Sequence, residues 1–198
     1  VVFAKLNHAF GLKGIVFVCG VTIAAVITVL LRTMLTAGAD TLLSLLLALL
    51  ASNALSLHYL ARPHLFTLLF LAVSAWILTK DRGAGEGQGH TRWIWLLPPL
   101  TVPWVNLHPG FIVLFAYLGA VVAGSALEWA VGNGSKQAML RYAGLAAVCG
   151  MATFLNPFGW KLHVEILSYL QAQGMTDLLQ EFQAPAFRTS PQMHFMFF

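Results

Sequence analysis

A succession of long apolar segments, separated by short polar ones, constrains this chain more than any other feature. A helix that crosses a bilayer needs about 20 mostly apolar residues. The segments predict six membrane-spanning helices, at about 14–35, 40–57, 63–79, 93–107, 109–131 and 142–155. Charged residues are 9% of the 198 and hydrophobic residues are 59%, whereas soluble domains carry about 25% charge. We therefore expect an all-α fold, a polytopic transmembrane helix bundle.

The segment after Pro157 has a different pattern. Apolar residues recur at helical spacing at Leu162, Ile166, Leu167 and Leu170, while Lys161, Glu165 and Ser168 fall on another face. This arrangement predicts an amphipathic helix lying in the membrane interface. A polar stretch, 171–192, follows it.

The sequence contains no internal repeat and no sign of a second domain, so residues 1–198 are expected to form a single transmembrane domain. The chain starts at Val1 and stops within the apolar run 195–198, which predicts an interior fragment of a longer polypeptide. Cys19 and Cys149 lie inside apolar segments, which is typical of small buried side chains.

The basic residues fall into two groups by their expected side of the membrane. The group in the short loops comprises Arg32, Lys80, Arg82, Arg92, Lys136 and Arg141. The positive-inside rule puts this group in the cytoplasm. The other face, with Lys5, Lys13, Arg62, Lys161 and Arg188, would then lie outside, together with six of the seven histidines: His8, His58, His64, His108, His163 and His194.

Three proline motifs also map to this outer face. They are Arg62-Pro63-His64, Asn106-Leu107-His108-Pro109-Gly110 and Asn156-Pro157-Phe158-Gly159. Proline suits the first turn of a helix, and the positive end of a helix favours anions. We expect Arg62 and His64 to hold a phosphate, Asn106 and His108 to line the same cavity, and Asn156 to cap the interfacial helix.

Each of these residues also has a structural interpretation. An arginine at a helix end commonly extends to lipid headgroups, and an asparagine such as Asn156 can be a helix cap and nothing more. His58 and His163 are more typical of hydrogen-bonded structural groups. The tryptophans at 93, 95, 104 and 160 fit an interfacial belt without a ligand.

Other functional classes find little support in the residue pattern. The sequence has no His-x3-His or Cys-x2-Cys spacing, so we expect no metal site formed by such a motif. It also lacks a basic stripe with interleaved aromatic residues, which argues against nucleic acid. Glu165 and Glu128 fit surface charges, and no carboxylate stands out as a general base.

The proline motifs resemble those of bacterial polytopic membrane proteins of the glycosyltransferase C superfamily, such as the family 39 protein mannosyltransferases. The matching stretches are Ala61-Arg62-Pro63-His64-Leu65-Phe66, Trp104-Val105-Asn106-Leu107-His108-Pro109-Gly110, Asn156-Pro157-Phe158-Gly159 and Glu181-Phe182-Gln183-Ala184-Pro185-Ala186-Phe187. They occur in the family's order and cover about 61–187. Pro109 replaces a glycine, and Ala186 stands where the family often has Asp.

The resemblance implies a multi-pass transferase of the bacterial inner membrane that takes a sugar from a polyprenyl-phosphate carrier at the outer face. It implies a catalytic acidic residue in a loop before Val1, which leaves a divalent metal open, and no other cofactor is evident. The competing interpretation is a non-catalytic scaffold or accessory subunit of a larger membrane complex. The missing base and Ala186 favour that alternative. A transporter fits less well, because the polar cluster lies at helix ends rather than at the bilayer midplane.

Overall fold

The computed structural model of the protein describes residues 2–56, 59, 61–83 and 92–171. Within these ranges the chain is helical and contains no strand, which confirms the all-α prediction for them. The helices are α1 (Val2–Thr36), α2 (Thr41–Leu55), α3 (His64–Gly83), α4 (Leu97–Leu107), α5 (Ile112–Ala130), α6 (Lys136–Ala152) and α7 (Lys161–Gln171). Short 3-10 segments, Arg92–Leu96 and Pro109–Phe111, lead into α4 and α5.

Three of the described helical segments are long and apolar enough to cross a membrane. They are Val2–Thr36, His64–Gly83 and Pro109–Ala130. The prediction of six spanning helices is therefore not supported among the described residues. The apolar segments are helical, as predicted. An apolar run of sequence can, however, form a helix that is too short to cross a bilayer.

The helices at the other three predicted spans, α2, α4 and α6, are shorter than these. α2 has 15 residues and begins at Asp40, whose carboxylate accepts from the amides of Leu42 and Leu43. At 1.5 Å per residue it is roughly 22 Å long, below the roughly 30 Å hydrocarbon thickness. α4 has 11 residues, with prolines in its first turn and Pro103 inside it. α6 has 17 residues and already includes Lys136 and Arg141, which the sequence had placed in a loop.

The interior of the fold lies between α3, α4, α5 and α6. Trp104 of α4 is fully buried there, among Leu78, Leu114, Leu118 and Leu145. Many outward side chains are equally apolar: Phe17 is 72% exposed and Leu42 is 78% exposed. A continuous apolar exterior of this kind is what a lipid environment requires, since soluble proteins rarely expose large apolar patches.

α1 packs along α3 and starts at the same end of the fold. The rings of Phe3 and Phe66 lie 6.0 Å apart between centroids. Gly11 interrupts the α1 helix with φ 64° and ψ −165°, a conformation that glycine adopts without a Cβ penalty. The first turns of α1 are thereby redirected at the end where α3 also begins.

α7 is amphipathic, as the sequence predicted. Leu162 and Ile166 are partly buried against the core, whereas Lys161, Glu165 and Ser168 are exposed. Its position in a membrane interface stays a prediction.

Candidate functional site

Four residues from three helical segments meet where α3 and α5 begin: Thr67, Trp104, His108 and Gly110, here named the histidine cluster. The indole Nε1 of Trp104 donates to Thr67 Oγ1 at 3.0 Å. Thr67 Oγ1 lies 3.1 Å from His108 Nδ1, and the amide of Gly110 donates to the same Nδ1 at 3.0 Å. A backbone N–H can only donate, so Nδ1 is an acceptor and the neutral ring carries its proton on Nε2.

His108 therefore caps its own helix. It is the N-cap of the 3-10 turn Pro109–Phe111, with an extended backbone and a side chain that accepts from the Gly110 amide. This bond satisfies the Gly110 amide, which is one of the helix-start amides that we expected to bind an anion. The predicted helix start is confirmed, and its capping group is the side chain of His108.

Gly110 allows the start of α5 to approach α3 closely. A Cβ at this position would lie 2.6 Å from Thr67 Oγ1 and 2.8 Å from His108 Nδ1. Any larger residue would have to displace one of these hydrogen-bonded groups. The glycine of the second proline motif is thus required by packing.

The first proline motif opens α3, also as predicted. The helix begins at His64, and the carbonyls of Arg62 and Pro63 accept from the amides of Leu65 and Phe66 at 3.2 and 3.1 Å. Arg62 is exposed and His64 is partly buried. His64 precedes Thr67 by three positions, so the two lie on one face of α3. The histidine cluster is therefore one helical turn from His64.

Asn106 joins two helices. Its side-chain amide donates to the carbonyl of Val102 at 2.7 Å and to that of Leu155 at 3.0 Å. The second bond fastens the end of α4 to the chain that follows α6. Asn106, two residues before His108, thus stabilises the packing of α4 against the chain that follows α6.

Asn156 does not cap α7, which corrects the sequence prediction. Its side-chain carbonyl accepts from the Phe158 amide at 2.8 Å, and its amide donates to the carbonyls of Thr153 and Gly159. An asparagine that bonds two residues ahead forms a tight turn of its own. Gly159, with φ 53°, completes this turn, and α7 starts only at Lys161.

A cavity of about 400 Å³ lies between α5, α6 and α7. Its lining is almost entirely apolar and consists of Phe111, Ile112, Phe115, Gly150, Thr153, Phe154, His163, Ile166 and Leu167. Phe111 follows His108 by three residues, so the cavity adjoins the histidine cluster. No pattern in the sequence indicates this cavity, because its walls come from three separate helices.

His163 is the titratable group in the lining of this cavity. Its Nε2 lies 2.8 Å from Thr153 Oγ1, which itself donates to the Gly150 carbonyl at 2.7 Å. The ring stacks on Phe154, with centroids 4.8 Å apart. Its Nδ1 is buried and has no hydrogen-bond partner among the described residues. The contact between Nε2 and Thr153 fits a structural role for His163. That role does not account for the buried Nδ1, which has no hydrogen bond among the described residues.

A second polar cluster lies at the opposite end of α3, and we name it the ion-pair cluster: Asp81, Arg82, Ser125, Glu128, Arg141 and Tyr142. The Asp81 carboxylate is fully buried and accepts two bonds from Arg141, at 2.5 and 2.9 Å, and one from the Tyr142 hydroxyl at 2.8 Å. Arg82 pairs with Glu128 at 2.5 Å. Sequence reasoning missed Asp81, although an acid in the last turn of an apolar helix is itself a signal.

His58, His194 and the 181–187 segment lie outside the described residues. Within the described ranges, no three His, Cys, Asp or Glu side chains form a group that could hold a metal ion. Glu165 is exposed on α7.

Comparison with known proteins identifies no relative: no protein family, no curated protein and no solved structure matches this chain.

Proposed function

We propose that this protein is a multi-pass protein of the bacterial inner membrane, similar to glycosyltransferases of the C superfamily, that binds a polyprenyl-phosphate-linked sugar at the end of the fold where α3 begins. A single observation carries the proposal. A cationic helix start, Arg62 to His64, is linked through Thr67 and His108 to the 3-10 turn whose Phe111 lines an apolar cavity of about 400 Å³. An amphiphile with an anionic head and an apolar tail is complementary to that combination.

The connection between the two parts runs through the histidine cluster. His64 lies one turn before Thr67, Thr67 contacts His108, and Phe111 lines the cavity. A phosphate held near Arg62 and His64 would leave its apolar chain free to reach between α5 and α7. The cavity would cover part of this chain, and the lipid around the exposed faces of the helices would cover the rest.

The predicted site residues take different roles in this proposal. Arg62 and His64 bind the phosphate, for which a guanidinium has suitable paired donors. His108 holds the start of α5 against Thr67, while Asn106 and Asn156 hold the helices and the turn that frame the cavity. These three are positioning residues.

In the proposed reaction, an acceptor hydroxyl attacks the anomeric carbon of the sugar, and the polyprenyl phosphate leaves. Arg62 would stabilise the charge that develops on the departing phosphate. The described residues place no paired carboxylate at this end. The base, and any divalent metal that it holds, would be supplied from outside the described residues, as the resemblance implies.

Binding of farnesyl phosphate to the purified protein in nanodiscs tests the proposal without requiring turnover. Farnesol, which has the same chain and no phosphate, is the matched ligand control. Arg62→Ala should weaken farnesyl phosphate binding about 10-fold, the loss of one charge-assisted bond, and leave farnesol binding unchanged. Lys13→Ala, at another exposed cation, should change neither. Equal binding of both ligands by the wild-type protein would reject phosphate recognition.

A non-catalytic scaffold or accessory subunit of a membrane complex is the second candidate. It is favoured by the way in which the side chains of Asn106 and Asn156 are engaged in internal hydrogen bonds. In that case farnesyl phosphate would not bind, and the protein would co-purify with a stoichiometric partner from native membranes.

A further inference from the structure

The end of the fold that carries the ion-pair cluster also carries basic residues that the cluster does not use. Lys80 is in the last turn of α3, Arg92 starts the 3-10 segment before α4, and Lys136 starts α6. The described acids of α3 and α5 at this end are Asp81 and Glu128. Asp81 is bound by Arg141, and Glu128 is bound by Arg82.

Three cations are left over from this pairing: Lys80, Arg92 and Lys136. No ion pair within the described ranges includes any of them. Over α3, α5, α6 and the 3-10 segment before α4, five described cations at this end, Lys80, Arg82, Arg92, Lys136 and Arg141, face two described acids, Asp81 and Glu128. These helix ends therefore carry an excess of positive charge.

Tryptophan rings hold two of these cations in place. The Nζ of Lys80 lies 5.5 Å from the ring centre of Trp76 and 5.1 Å from that of Trp93, which belong to different segments. The Nζ of Lys136 lies 5.9 Å from the ring centre of Trp129. Contact with a ring face orients an ammonium group without neutralising it.

The same rings are only half buried. Trp93 is 49% exposed and Trp129 is 46% exposed, although both are large apolar side chains at helix ends. Amphipathic indole rings are enriched at the boundary between acyl chains and headgroups. In a bilayer, a lysine held against such a ring would lie near the lipid phosphates.

We propose that this surface, formed by Lys80, Arg92, Lys136 and the rings of Trp76, Trp93 and Trp129, binds the headgroups of anionic phospholipids. The lysines supply charge that the ion-pair cluster does not neutralise, and the tryptophans insert beside the acyl chains. Zwitterionic lipids carry no net charge and gain much less from the same contacts. Basic residues next to membrane segments contribute in this way to binding of an anionic leaflet. The proposal concerns the opposite end from the farnesyl phosphate test and does not depend on it.

Thermal unfolding in nanodiscs tests this inference directly. The wild-type protein should unfold about 2–4 °C higher in discs with 30% phosphatidylglycerol than in discs of phosphatidylcholine alone. The double variant Lys80→Gln/Lys136→Gln should lose most of that difference. High salt should also reduce it, because exposed charges are screened.

The matched control is Lys5→Gln/Lys13→Gln, which removes the same charge from exposed lysines of α1. It should keep the full phosphatidylglycerol effect. An equal loss in this control would show general charge attraction and overturn the proposal, and so would a full effect in Lys80→Gln/Lys136→Gln. Inorganic phosphate added to phosphatidylcholine discs should not reproduce the stabilisation; if it did, a free anion rather than a lipid would be the ligand.

Quenching of tryptophan fluorescence by brominated phosphatidylglycerol gives a readout that does not depend on stability. It should exceed quenching by brominated phosphatidylcholine in the wild-type protein by about twofold, as expected for a local enrichment worth a few tenths of a kcal/mol. The excess should disappear in Lys80→Gln/Lys136→Gln. Equal quenching by both lipids in the wild type would contradict the proposal.

Discussion

The two ends of α3 satisfy their buried polar groups in different ways. At the ion-pair cluster, full charges are buried and matched: Asp81 receives three hydrogen bonds from Arg141 and Tyr142. At the histidine cluster, Thr67, Trp104 and His108 form neutral bonds. A buried charge that loses its partner is far more costly than a neutral group that does. We infer that the ion-pair cluster fixes the helix packing, and that the histidine cluster shapes a surface beside Arg62 and His64.

The largest effect is expected from Asp81→Asn. It preserves the size of the side chain but removes the buried negative charge that pairs with the largely buried Arg141, which should cost about 3–5 kcal/mol of the free energy of unfolding. Asp40→Asn is the control, since Asn and Asp are similar N-caps. Denaturant unfolding in mixed micelles measures both. Equal stabilities of the two variants would mean that the buried pair does not hold the fold.

Gly110→Ala should have the largest effect at the histidine cluster. The added methyl would overlap Thr67 and His108 and should cost about 1–3 kcal/mol, as expected for overpacking. Gly119→Ala, in the same helix with no atom within 4 Å of the new Cβ, should be neutral or slightly stabilising. If both glycine variants unfolded alike, the close approach of α3 and α5 would be wrong.

His108→Ala tests the capping role of the histidine. It removes the acceptor of the Gly110 amide and should cost about 0.5–2 kcal/mol, the usual range for losing an N-cap. His108→Asn should recover most of the loss, because asparagine is also a good cap. The unfolding free energies of the two variants decide the point: failure of the asparagine to rescue would assign His108 a role beyond capping.

Glu128→Gln should have the smallest effect. The Arg82–Glu128 pair is short, but its side chains are 39% and 47% exposed, so solvent screens it and the loss should be at most about 1 kcal/mol. A loss as large as that of Asp81→Asn would show that the two ion pairs act as one buried network.

Local signals in the sequence predicted much of the histidine end. Proline at the start of α3 and of the segment before α5, and the amphipathic spacing of α7, were sufficient to place these helices. Asn156 was misassigned because asparagine favours both N-caps and tight turns, and the Pro-Phe-Gly sequence that follows selected the turn.

The ion-pair cluster could not be predicted in the same way. Asp81 and Arg141 are 60 positions apart, and Arg82 and Glu128 are 46 apart. Contacts of this kind depend on how far one helix is shifted along its axis relative to its neighbour. The spacing of apolar residues within one helix contains no information about that shift. The prediction of six spanning helices was not supported among the described residues for a related reason: the apolar runs near α2, α4 and α6 form helices of 15, 11 and 17 residues.

The most direct test of the account is to locate the bound amphiphile. A farnesyl phosphate analogue with a photoreactive tail, activated in nanodiscs and mapped by mass spectrometry, should label the cavity walls at Phe111, Phe115 and Ile166. Excess farnesyl phosphate should remove the label, and excess farnesol should not. Competed labelling around residues 76–82 and 125–142 instead, at the ion-pair cluster, would contradict the division of roles between the two ends.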